Sequence, residues 1–255
     1  MINNRYSYST HMWLRLVLSV IAFMGLTPDV AQGAKLLDSP FSAMDWQSLE
    51  WSELLTENGI SIATAKREGS DFVAVKSSMR VEARLNDIAA LVLFVDGCHE
   101  GTTVCEKIEK KESRDPQHYF QYVVSKFPWP LRKRDIFLRI SVDQDTQGVI
   151  RVDGKAFPDK FPENKHYVRI KTMDLQWKIT PEANGVVLIE HFIHSNPSGR
   201  VPAFLFNDAV ASTPLKTLAN IKRLLSLEKY QKRNIAFIQE LFEIEKLPKT
   251  RMHFN

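Results

Sequence analysis

Asn196-Pro197-Ser198-Gly199-Arg200-Val201-Pro202-Ala203-Phe204-Leu205-Phe206-Asn207 is the stretch where this chain changes character. Ahead of it side chains alternate with a period of two; beyond it apolar residues recur at helical spacing. Asn, Pro, Ser and Gly interrupt the strand pattern, and Pro202 suits the first turn of a helix, where its missing N–H is not needed. Phe204, Leu205, Ala209, Val210, Leu215, Leu218, Ile221 and Leu225 then form a broad apolar face, with Lys216, Lys222 and Arg223 outside it. Pro214 falls within this stretch and is expected to kink or restart the helix. A further amphipathic segment, Lys232 to Lys246, carries Ile235, Ile238, Leu241 and Phe242 and is read as a helical extension within residues 228–255.

Upstream, the candidate strands are Glu106–Glu112, Tyr119–Lys126, Asp135–Asp143, Val149–Phe157, Tyr167–Ile179 and Val186–His194. Phe120, Tyr122 and Val124 alternate with Gln121, Val123 and Ser125, as in a sheet with one covered face. Tyr167–Ile179 is long enough to be curved or bulged. Nearer the N-terminus, Asp45 is read as the N-cap of a helix with Trp46, Leu49, Leu54 and Leu55 near helical spacing, stopped by Asn58-Gly59. Ile60–Arg67 and Phe72–Ser78 read as a hairpin, and Asn86–Phe94 as a second helix. The order is helix, two strands, helix, several antiparallel strands, long C-terminal helix. Its simplest closure is an α+β domain in which a curved antiparallel sheet wraps around that helix.

The first residues read as an export signal. Arg5, His11 and Arg15 give a basic start, Leu16 to Leu26 an apolar run, and Ala31 and Gly33 the small residues ahead of a cut before Ala34. The run is about 11 residues, where a membrane-spanning helix needs roughly 20. Residues 1–33 are thus expected to be a cleaved signal, the alternative being an uncleaved anchor. Residues 34–44 form a short lead-in, and 45–227 the folded domain. Removing Arg5, Arg15 and Asp29 from 34 basic and 30 acidic side chains leaves 32 and 29. That mild excess, spread along the chain, gives no footprint for nucleic acid. Two cysteines, Cys98 and Cys105, can form a disulfide after export or remain free thiols. A bridge over so short a loop contributes about 2–3 kcal/mol and staples a local excursion only.

Two segments carry a resemblance. Phe127-Pro128-Trp129-Pro130-Leu131-Arg132-Lys133-Arg134-Asp135 resembles the Pro-(Trp/Phe)-Pro-Leu…Arg-Asp signature of START (steroidogenic acute regulatory protein-related lipid transfer) domains. Residues 196–207 resemble that family's approach to its C-terminal helix. The resemblance covers residues 45 to 227 and points to a bacterial, exported member. It implies a helix-grip fold with a tunnel for a sterol, phospholipid or similar ligand, and a periplasmic location. It also implies a cysteine pair after the second helix, similar to Cys98 and Cys105. Gly101 stands where such members place a Trp, Ser198 replaces a Gly, and Phe204 replaces a Trp. Ser198 must therefore accept whatever backbone geometry Gly provides.

An apolar ligand needs a dry concave wall, a few orienting polar groups and a movable lid. Trp129, Phe137, Trp177, Phe192, Phe204 and Phe206 are candidates for the wall, each equally readable as plain core. Arg134 either meets a lipid phosphate or carboxylate, or is a structural Arg paired with a carboxylate such as Glu190. Asn207 is expected to fix the helix against a loop. His191-x-x-His194 resembles a metal pair, but odd spacing in a strand sends the two to opposite faces. Cys98, His99 and Cys105 lack a fourth zinc ligand of suitable spacing. No G-x-S-x-G or Walker loop is present. The expectation is a non-enzymatic, cofactor-free protein whose partners are an apolar small molecule and, transiently, a membrane. The alternative is a hydrolase- or cyclase-like enzyme built on the same cavity.

Overall fold

The structure, a computed structural model, describes residues 37, 41–93, 104–127, 129–209 and 211–241. The helix expected from Asp45 is only a single 3-10 turn, Trp46–Ser48, with Asp45 Oδ1 accepting the Gln47 N–H at 3.0 Å. Leu54 and Leu55 lie instead in strand β1, Ser52–Glu57, which pairs antiparallel with β2, Ile60–Ala65. The reason is Asn58-Gly59: both residues have positive φ, 52° and 78°, and form the two-residue hairpin turn that this dipeptide favours. What reads as a helix stop is a strand reversal.

β2 runs on into β3, Ala74–Glu82, in register from Ile60↔Met79 to Ala65↔Ala74. Helix α1, Leu85–Leu93, follows as expected. Then come β4, Cys105–Asp115; β5, His118–Ser125; β6, Arg134–Gln144; and β7, Ile150–Ala156. The long strand expected over Tyr167–Ile179 is divided into β8, Val168–Arg169, and β9, Thr172–Pro181. β7 pairs with β6 only from Leu138 onward, so β8 satisfies the first residues of β6 in parallel, Arg134↔Val168 and Asp135↔Arg169. β10, Val186–Asn196, closes the sheet. The order is β1-β2-β3-β10-β9-β7-β6-β5-β4, antiparallel throughout apart from β8.

The pleat divides the side chains. Ile60 and Ile62, Val75 and Met79, Val187 and Ile189, Ile179, Ile150 and Val152, and Leu138, Ile140 and Val142 share one face and one core cluster. Onto that face pack α1, through Leu85 and Ile88, and the second of the C-terminal helices, through Leu218 and Ile221. The C-terminal helices are two pieces, α2, Ala203–Ala209, and α3, Ser212–Leu225, in place of the one long helix expected. Pro214 is buried in the first turn of α3, where its ring fixes φ without breaking an internal hydrogen bond. α3 lies against β2 and β3 and buries Leu218, Ile221 and Leu224. The opposite face carries a smaller cluster of Trp46, Ala65, Ala74 and Phe192.

The tail departs from the expected amphipathic helix. Residues 232–241 form no helix, and 242–255 lie outside the described residues. Ile235 and Ile238 are buried in the main core. Asn86 and Asp87, at the start of α1, hold the tail's backbone. Asn86 Oδ1 accepts the Ile235 N–H and Asp87 Oδ1 the Arg233 N–H, each at 2.8 Å. In return the Glu240 carboxylate accepts the N–H groups of Leu85 at 2.8 Å and Asn86 at 3.1 Å. A carboxylate at a helix N-terminus satisfies donors that have no intrahelical partner and complements the helix dipole. The tail is a strap across the molecule. Asn86→Ala is expected to lower stability by about 1–3 kcal/mol by leaving the Ile235 N–H buried and unpaired. Urea unfolding measures this, and an unchanged midpoint would refute the strap.

Candidate ligand-binding face

Two polar residues stand side by side in the middle of the inner face. Along β3 the inward positions read Val75, Ser77, Met79; along β10, Ile189, His191, Ile193; along β9, Leu175, Trp177, Ile179. Register places Ser77 beside His191 and His191 beside Trp177, one row across three neighbouring strands. Ile62 flanks the row on β2 and Val152 on β7. The Trp177 and His191 rings stack at 4.1 Å between centroids. Ser77 is fully buried and His191 nearly so, yet Ser77 Oγ and His191 Nδ1 have no hydrogen-bond partner. Burial in these apolar surroundings lowers the His191 pKa to about 4, so the ring is neutral at physiological pH.

Along β9 and β10, and at Val123 on β5, the same face is incompletely covered. Val123, Met173, Leu175, Trp177 and Ile193 are only half buried. Gly154 keeps the floor low here: a Cβ at this position would lie 2.8 Å from Leu175 Cγ. A separate polar cleft is lined by Gln117, Asp143, Asp145, Phe237 and Gln239.

The structure separates the residues expected to form the wall. Trp177 lies on the inner face. Phe137 and Phe192 do not: each is one residue out of phase with the inward positions, and both lie on the outer face. Phe137 stacks on Phe161 at 4.1 Å beneath the Arg169 guanidinium, which forms a buried ion pair with Asp135. Phe192 stacks on Trp46 at 5.6 Å. Trp129 is 93% exposed and Phe204 65%, so neither is part of a closed wall. Phe206 packs edge-on against Phe72 at 5.3 Å. Asn207 ties α2 to the β2–β3 loop: its Oδ1 accepts the Val73 N–H and its Nδ2 donates to Asp71 O.

Arg134 is buried, and the carboxylate partner weighed for it is elsewhere, since Glu190 pairs with Lys76 and Lys178 on the outer face. The guanidinium instead donates to the carbonyls of Pro197, Ser198 and Arg132, fastening the start of β6 to the segment that leads into α2. Ser198 adopts the left-handed geometry asked of it, with φ 56°, and its N–H is accepted by Asn196 Oδ1 at 2.9 Å. His191 and His194 do lie on opposite faces; His194 contacts Arg67 and Ser70. Cys105 is buried and is not a free thiol, while Cys98, His99 and Gly101 lie outside the described residues. Among the described residues no three His, Cys, Asp or Glu side chains converge as a metal site.

Residue type alone does not single out Ser77, and the spacing of His191 and His194 suggests only a metal pair. Their signal is a polar residue standing in an apolar stripe, in Val75-x-Ser77-x-Met79 and Ile189-x-His191-x-Ile193.

A large curved antiparallel sheet with C-terminal helices on its inner face defines the class: an α+β protein of helix-grip type. Solved structures narrow it. A STAR-related lipid transfer protein from Xanthomonas axonopodis superposes with a TM-score of 0.64 at 26% identity, over 69% of this chain and 99% of that one. Human STARD10 also gives 0.64, at 14% identity, over 74% and 83% of the two chains. Human StAR-related lipid transfer protein 5 gives 0.61 at 12% identity, over 84% and 94%. An uncharacterized protein of Pseudomonas aeruginosa is 26% identical over 175 residues, 68% of this chain and 85% of that protein. No family model matches the chain. By fold and likeness together, the chain is similar to the START-related lipid transfer domains.

The buried imidazole makes stability depend on pH. Its folded pKa, about 4, lies below the ordinary 6.5, so the unfolded state takes up this proton first as pH falls. The contribution is present above pH 6.5 and is lost between there and about 4. The loss should reach roughly 3 kcal/mol. His191→Phe should flatten that part of the stability profile in urea titrations, and an unaltered slope would show that His191 is not buried neutral.

Proposed function

We propose that the chain binds a lipid or other apolar molecule between the inner face of its sheet and the C-terminal helices, and passes it on without chemical change. One observation carries this reading: Val123, Met173, Leu175, Trp177 and Ile193 point inward yet remain half buried by the protein's own side chains. Apolar surface left in contact with water forgoes about 25 cal/mol per Å², which an apolar ligand would recover. Movement of the C-terminal helices away from the sheet would open the cover for exchange. Exposed Trp129, Phe204 and Leu205 are suited to a transient membrane contact. The names of the superposing proteins, which speak of lipid transfer, support the ligand class.

Export to the periplasm, with residues 1–33 removed and Cys98 bridged to Cys105, completes the proposal. Among the described residues no helix is long and apolar enough to cross a membrane. The catalytic alternative draws on the neighbouring Ser77 and His191. Against it, no hydrogen bond joins the two, and an imidazole held near pKa 4 is a weak base at neutral pH.

Native mass spectrometry of the purified protein should show a bound apolar molecule, or its uptake from neutral or anionic liposomes. A chain that arrives empty and stays empty would end the ligand reading. Ester turnover that is lost in Ser77→Ala would favour the catalytic one. Separately, thiol titration of the denatured protein without reductant should find no reactive group; two would rule out the bridge.

A further inference from the structure

We infer that Ser77 and His191 form a neutral anchor for one hydroxyl or carbonyl group of the bound molecule. The chain would thereby select apolar ligands whose buried end is uncharged over those whose buried end is an anion. The inference rests on the apolar-ligand reading above and adds the ligand's polar chemistry to it.

Buried polar atoms are paired in the great majority of cases, and leaving one unpaired costs about 1–3 kcal/mol. Two such atoms stand here on paired positions of adjacent strands, in a row whose other members Ile62, Trp177 and Val152 are apolar or aromatic. Directly opposed side chains have Cβ atoms roughly 5 Å apart, so one small group reaches both. Neither residue satisfies the other. Trp177 stacks on the imidazole and limits its rotation toward β9. The serine hydroxyl donates and accepts, and a neutral imidazole nitrogen does one or the other according to tautomer. A ligand hydroxyl can donate to His191 Nδ1 while accepting from Ser77; a carbonyl oxygen can accept from both.

An anion fits poorly here. No cationic side chain stands in the row, whose other inward members are Ile62, Trp177 and Val152. Arg134, at the end of β6, is already taken up by the carbonyls of Pro197, Ser198 and Arg132. A carboxylate or phosphate brought to Ser77 would lose its hydration without gaining a counter-charge.

The test displaces a hydrocarbon dye, diphenylhexatriene, from the delipidated protein at pH 8 with 1-dodecanol or dodecanoate. The dye has no polar group and does not depend on the anchor. Dodecanol should displace it at about tenfold lower concentration from the wild type than from Ser77→Ala or His191→Phe, with dodecanoate alike on all three. The empty Ser77→Ala protein should melt no lower than the wild type, because its hydroxyl has no partner to lose. If the dye binds but dodecanol does not tell wild type from variants, the anchor is wrong and the apolar face stands; a buried water serving both atoms would give that result. If the dye does not bind at all, both readings fall together.

Discussion

The governing constraint among the described residues is the mismatch between one wide apolar sheet face and the little helix that covers it. Nine strands in line at about 4.8 Å spacing span roughly 38 Å, whereas a helix with its side chains is about 10 Å across. α3 accordingly covers β2 and β3. α1 lies against β9 and α3, and the tail buries Ile235 and Ile238 in the same core. What these pieces do not cover is the stretch around Trp177 and Leu175. Val123, Met173, Leu175, Trp177 and Ile193 of that face stay partly exposed.

The strap explains how so divided a cover holds together. α1 is only nine residues long and would be marginal by itself. Its N-terminus is capped from the far end of the chain by Glu240, and Asn86 and Asp87 return the favour by fixing the backbone at Ile235 and Arg233. Sequence periodicity read Ile235, Ile238 and Leu241 as a helical face because three residues separate each pair. The same spacing serves an extended segment with a turn at 235–238, where the Ile238 N–H donates to Ile235 O. Which one forms depends on the partner, and Asn86 offers a partner only to an open backbone.

Placement on the sheet decides which side chains reach the inner face more sharply than residue type does. Phe137 and Phe192 are large, aromatic and buried, yet the pleat sends them outward to Phe161 and Trp46. Arg134 looked suited to a headgroup and turned out to fasten the 196–200 segment. Ser77 and His191, small or polar and not candidates for the wall by residue type, occupy the inward row. A one-residue change of phase moves a side chain to the opposite face, so no inventory of residue types can replace the register.

The sequence by itself determined the element order from β2 onward, the strand-to-helix change at Pro202, the restart at Pro214 and the opposite facing of His191 and His194. These are local matters: periodicity, a fixed φ, a missing N–H. It also carried, in residues 128–135 and 196–207, the likeness to START domains. Only the tertiary structure decided that Asn58-Gly59 reverses a strand, that residues 167–179 split so that β8 can complete β6, and that the tail is a strap. The unpartnered atoms of Ser77 and His191 belong to that second group. A hydrogen bond left unmade is a statement about every neighbour in space, and the sequence names only the neighbours in line.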